Sequence, residues 1–97
     1  MSTYPVDIKA KRIISTSANQ EVFGGPGRFL GFSANCTAGA GTITLEDNGS
    51  ALAVFGTPDG SSSPMVYSTT FPGTGIKAST KLTVTLATIA DVTFYFG

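Results

Sequence analysis

The sequence contains no histidine. That one absence removes the usual general base near neutral pH, the Ser-His and Cys-His nucleophile pairs, and the commonest metal ligand. Tryptophan is absent as well, and the single cysteine, Cys36, excludes an internal disulfide. Charge is scarce: six basic and six acidic residues make up 12% of the chain, about half of what an ordinary soluble domain carries. They balance to zero, so the basic stripe that a nucleic-acid partner requires is missing. No apolar run is long enough to cross a bilayer as a helix, and Met1-Ser2-Thr3-Tyr4-Pro5 is no basic-then-apolar leader. The expectation is a protein with neither a nucleic-acid nor a membrane partner, made in a reducing host cytoplasm.

The chemistry-bearing residues that remain do not assemble into a motif. Paired carboxylates can hydrolyse glycosides without histidine, but the only neighbouring acids, Glu46 and Asp47, point to opposite faces of one strand end. Asp47, Asn48 and Asp59 read as turn residues, because no loop shows the alternating acids of a Ca²⁺ site. Gly24-Gly25-Pro26-Gly27 lacks the Lys-Ser/Thr ending and the following helix of a phosphate loop, and so reads as a corner. Cys36 shares a face with Leu30 and Phe32, which suits a small buried apolar residue better than a reactive thiol. We therefore expect no enzymatic activity, no catalytic residue, no cofactor and no metal.

What the chain has in quantity is hydroxyl and glycine: 14 Thr, 10 Ser and 12 Gly. Thr and aromatic residues favour strands, and Gly, Asn and Asp favour the turns between them. No apolar residues recur at helical spacing, whereas period-two alternation recurs throughout. Strands are predicted at roughly 5–16, with a bulge or change of face at Ile13-Ile14, and at Glu21-Val22-Phe23. A strand over 28–37 places Leu30, Phe32, Ala34 and Cys36 on one face. A strand over 42–47 points Ile43 and Leu45 inward and Thr42, Thr44 and Glu46 outward. Asn48-Gly49 predicts a tight hairpin turn. Residues 51–56 are apolar on both faces, which reads as a central or interface strand. A polar loop over 57–64 precedes strands at 65–71, around Ile76, and at the closing stripes Leu82, Val84, Leu86 and Val92, Phe94, Phe96. The spacing predicts one all-β domain over residues 1–97, a small jelly-roll-like β-sandwich of eight or nine short antiparallel strands.

Two features point to contact with other protein surfaces. Interface cores are enriched in aromatics and depleted in charge, and Phe29 and Tyr95 fall opposite the inward stripes of their strands while Phe55 lies on the doubly apolar one. Residues 1–11 carry Tyr4, Val6 and Ile8, and a chain end is poorly ordered unless tied down, so this segment is expected to dock on a neighbouring subunit. The expected interface set is therefore Tyr4, Val6, Ile8, Phe29, Phe55 and Tyr95. An apolar surface held in solution by only twelve charges is expected to form a homo-oligomer.

Three stretches carry a resemblance. Gly27-Arg28-Phe29-Leu30-Gly31-Phe32 is followed by an Ala/Gly/Thr-rich turn, then by Gly41-Thr42-Ile43-Thr44-Leu45-Glu46-Asp47-Asn48-Gly49-Ser50-Ala51 and an apolar strand. Later come Phe71-Pro72-Gly73-Thr74-Gly75-Ile76-Lys77-Ala78 and Val92-Thr93-Phe94-Tyr95-Phe96-Gly97. Together, over residues 27–97, the pattern resembles the small β-sandwich virion proteins of tailed bacteriophages. It differs from them in Glu46, where an aromatic residue is common, and in the extra Asn48 before the glycine. The resemblance implies a capsid decoration or cement protein, bound to the major capsid protein on the virion surface, and it makes the expected homo-oligomer a trimer. The alternative expectation is a carbohydrate- or receptor-binding β-sandwich of a phage tail or fibre, with an exposed aromatic platform.

Overall fold

The computed structural model describes residues 8–16 and 18–97. Those residues form nine strands and no helix: β1 (Lys9–Ile13), β2 (Gln20–Phe23), β3 (Gly27–Cys36), β4 (Thr42–Asp47), β5 (Ser50–Gly56), β6 (Met65–Thr70), β7 (Ile76–Ala78), β8 (Leu82–Ala87) and β9 (Val92–Phe96). All pairings are antiparallel, and they are nested. β1 pairs with β9, β2 with β8, β3 with β6, and β4 with β5, as in one long ribbon folded back on itself at the β4–β5 hairpin. Rolling that ribbon sends alternate pairs to alternate layers. The added pairings of β3 with β9 and of β4 with β8 then close two sheets, β1-β9-β3-β6 and β2-β8-β4-β5, with β7 on the other end of β3. This is the jelly-roll solution to packing strands of period-two alternation around one core.

The alternating stripes of the sequence supply that core. Leu82, Val84 and Leu86 of β8 and Val92, Phe94 and Phe96 of β9 are buried, as are Ile43 and Leu45 of β4 and Cys36 at the end of β3. The hairpin at residues 47–50 forms as the Asn-Gly pair predicts. Asp47 pairs with Ser50, and Asn48 (φ 49°) and Gly49 (φ 90°) both take the left-handed backbone that a two-residue turn needs. β1 is shorter than expected: it ends at Ile13, which is buried, and Ile14 beyond it is exposed.

One expectation is corrected, and one of two alternatives is removed. Phe29 is not an interface residue; it is 0% exposed and packs edge-on to Phe94. The cause is a β-bulge. Between the pairs Phe29↔Phe96 and Gly31↔Tyr95, β3 advances two residues while β9 advances one, so Leu30 is the extra residue. The parity of the strand resets there, turning Phe29 and Phe32 to the same inner face. Strand β5, in turn, is not central. It lies at the edge of its sheet and pairs with β4 alone.

The bulge also explains Gly31. A Cβ there would meet the backbone oxygen of Thr69 at 2.5 Å and Thr70 Cα at 3.1 Å. Gly31→Ala is therefore expected to push β6 off β3 and to cost about 1–3 kcal/mol or more, as overpacking does. Denaturant melts followed by circular dichroism measure it, and an unchanged midpoint would contradict the close β3–β6 approach.

Candidate functional site

A sandwich whose sheets do not close into a barrel has two flanks, and here they differ in character. On one flank lie the edge strands β1 and β2, packed side by side. β1 carries Lys9, Lys11 and Arg12, and Glu21 of β2 lies 3.7 Å from the Lys81 ammonium. Charges on edge strands, lysine above all, keep a free ladder from pairing with another chain. On the opposite flank lie β5 and β6, and neither contains a charged residue or a proline.

The uncharged flank also carries much of the apolar surface. Leu52 and Val54 of β5 and Met65 and Val66 of β6 are exposed, Val54 at 63% and Val66 at 62%. They are half of the large exposed apolar side chains among the described residues. Val54, opposite Thr44, and Val66, opposite Asn35, lie on the outer faces of the two sheets, while on the inner side the two edges are bridged by aromatic rings. Phe55 stacks on Phe71 with centroids 5.5 Å apart, and Phe32 meets Phe55, Tyr67 and Phe71 at 5.3, 5.7 and 6.2 Å. Phe55, Tyr67 and Phe71 are only half-buried, so the core reaches the surface along this flank.

The expected interface residues divide accordingly. Phe55 belongs to the flank as a half-buried ring. Ile8 is exposed just before β1, on the charged side. Tyr95 is exposed on the outer face of its sheet, opposite Gly31, and borders a shallow groove of about 260 Å³ floored by Ser33, Ser68 and Thr70. Tyr4 and Val6 lie outside the described residues. Leu52 and Val54 lie on the strand whose two apolar faces suggest an interface in the sequence, whereas Met65 and Val66 are not among the expected interface residues. The signal that marks them is charge spacing: residues 48–76 contain one charged residue, Asp59.

The charged groups elsewhere serve the fold. Asp47 accepts the backbone N–H groups of Thr80, Ser79 and Lys81 at 2.9, 3.0 and 3.3 Å, which hold its carboxyl below the usual range. Asp91 takes Arg12 in a two-pronged pair, both contacts at 2.9 Å, and accepts the Asn35 amide at 3.1 Å, and these lower its pKa as well. Glu46 points to the outer face as expected but is only 5% exposed, because the turn at 48–49 and the segment around Asn19 fold over it. Among the described residues no three of Cys, Asp or Glu converge as a metal site would require.

Asp47 and Asp91, with Asp59, which is lowered by the hydroxyl and N–H of Ser61, set a pH dependence. A carboxyl with a depressed folded pKa stabilises the fold above its unfolded value, about 3.9, and that contribution is lost as pH falls through the folded value. The urea midpoint is thus expected to stay level from pH 7 to about pH 5 and to fall below about pH 4. Asp47→Asn should flatten the fall. A midpoint that stays level down to pH 2 contradicts these assignments.

No protein-family model matches this chain, and no curated protein or solved structure matches it significantly.

Proposed function

We propose that this protein is a non-enzymatic structural subunit of a tailed-bacteriophage virion, a decoration or cement protein that works by packing against other protein surfaces. The observation that carries the packing role is the β5/β6 flank. Its two edge strands have no charge and no proline, they carry four exposed apolar side chains, and the core between them reaches the surface. Soluble monomers do not leave such edges open, since they template association. Covering four half-exposed side chains of this size stabilises by roughly 1 kcal/mol each, several kcal/mol per subunit before the entropy of association is subtracted. That is comparable with the whole stability of a small domain.

The virion as the place of assembly rests on the resemblance carried by residues 27–97. The partners that follow are further copies of this chain and the major capsid protein, on the outer surface of the head. The saccharide-binding alternative is less well supported. The Tyr95 groove is lined by hydroxyls, and none of Asn19, Gln20 or Asn35 borders it. Asn35 is engaged by Asp91, and Gln20 donates to the Ser15 carbonyl.

Electron microscopy of assembled phage heads with and without the purified protein tests the proposal. Added density on the outer shell is the expected result. Density confined to tails or fibres, or no binding to shells, overturns it.

A further inference from the structure

We infer that the β5/β6 flank is closed by a second copy of this chain across a twofold axis, with β6 pairing antiparallel to its own counterpart; this rests on reading the flank as a covered surface and names what covers it. Charge is the first argument. Head-to-tail contact between this flank and the β1/β2 flank would bring Lys9 and Lys11 of one copy onto strands that hold no acid. Cations taken from water without partners are strongly unfavourable. Two uncharged flanks meet with no such cost.

Regularity is the second argument, and it selects the strand. β5 is bulged: between the pairs Leu45↔Ala53 and Glu46↔Ala51 it carries Leu52 as an extra residue, which twists its edge. β6 keeps an unbroken register with β3 over six pairs, from Gly31↔Thr70 to Cys36↔Met65. A regular ladder on one side of a strand leaves evenly presented N–H and C=O groups on the other. Val66, Ser68 and Thr70 of β6 are exposed and share a face, so β6 beside its copy would extend the sheet without burying a charge.

Size is the third argument. Residues 50–71, from the start of β5 to the end of the β6 edge, contain one charged residue, Asp59, whose carboxylate already accepts the N–H and hydroxyl of Ser61. Fourteen of these residues are exposed, the extent of a small interface beside the roughly 20–30 residues a side of a standard one. An isologous contact buries the same patch on both subunits and then stops, so the flank is satisfied without filaments.

The native Cys36 is buried, which leaves an introduced surface cysteine as the reactive one. Sedimentation of wild type and Val66→Lys at micromolar concentration is therefore combined with oxidation of Ser68→Cys, and of Lys9→Cys on β1 as control. Expected are a wild-type dimer, about tenfold or more weaker association in Val66→Lys with unchanged circular dichroism, and a disulfide-linked dimer from Ser68→Cys but not from Lys9→Cys. A wild-type monomer or trimer overturns the twofold pairing. So does a dimer that survives Val66→Lys and forms no link through position 68. Each of those results leaves the structural virion reading intact if the protein still decorates heads, whereas an intact dimer that never binds heads defeats that reading and spares this one.

Discussion

Phe32→Ala is expected to lower stability by about 3–5 kcal/mol, the usual cost of emptying a buried phenylalanine site. Phe32 is fully buried and touches four other rings: Phe55, Tyr67 and Phe71 toward the open flank, and Phe94 at 6.2 Å across the core. Edge-on ring pairs contribute about 0.5–1.5 kcal/mol beyond their buried area, and this one side chain forms several. A domain of this size holds only ~5–15 kcal/mol in total, so the variant is expected to melt far below wild type. With no tryptophan to report, circular dichroism is the probe. Phe32→Leu retains more of the volume and should lose less. A loss under about 1 kcal/mol for Phe32→Ala would mean that the ring cluster does not hold the two sheets together at the flank.

Glu46→Ala is expected to be the second most damaging change, at about 2–4 kcal/mol. The carboxylate accepts the hydroxyl of Thr83 at 3.1 Å and that of Thr85 at 2.6 Å. Those hydroxyl oxygens in turn accept the backbone N–H groups of Gly49 and Asn19 at 2.9 and 3.1 Å. Glu46 thus anchors the hairpin turn and the segment before β2 onto the outer face of its sheet. Removing the carboxylate strands two donors, each costing about 1–3 kcal/mol when left unpaired out of water. Glu46→Gln keeps one acceptor oxygen and should lose less than half as much. Equal losses for Ala and Gln, read from urea midpoints, would show that charge and not the hydroxyl contacts matters here.

Much of this fold is legible in the sequence because its signals are local. The stripes Leu82-Val84-Leu86 and Val92-Phe94-Phe96 state which face is inward, and Asn48-Gly49 states where the central hairpin turns. What is not legible depends on partners remote in sequence. The extra residue at Leu30 is marked only by the glycine that follows it, Gly31, which does not say which residue is extra, yet the bulge turns Phe29 from an outer to an inner residue. An apolar strand such as Ala51–Phe55 reads the same whether it lies mid-sheet or at an edge, since composition does not record how many neighbours pair with it. Burial of Glu46 requires two loops remote from each other in sequence, one at Asn19 and the other at Gly49, to close over one carboxylate. The flank is marked in the sequence by the charge-poor run from 48 to 76 more than by any single aromatic residue.

Hydrogen exchange of the β5 and β6 amides, compared between dilute and assembled protein, tests most directly that this flank is the packing surface. Expected is marked slowing at residues 50–56 and 65–70 on assembly, with β1 and β2 unchanged. Slowing confined to β1 and β2, or none in any strand of the assembled protein, would contradict it.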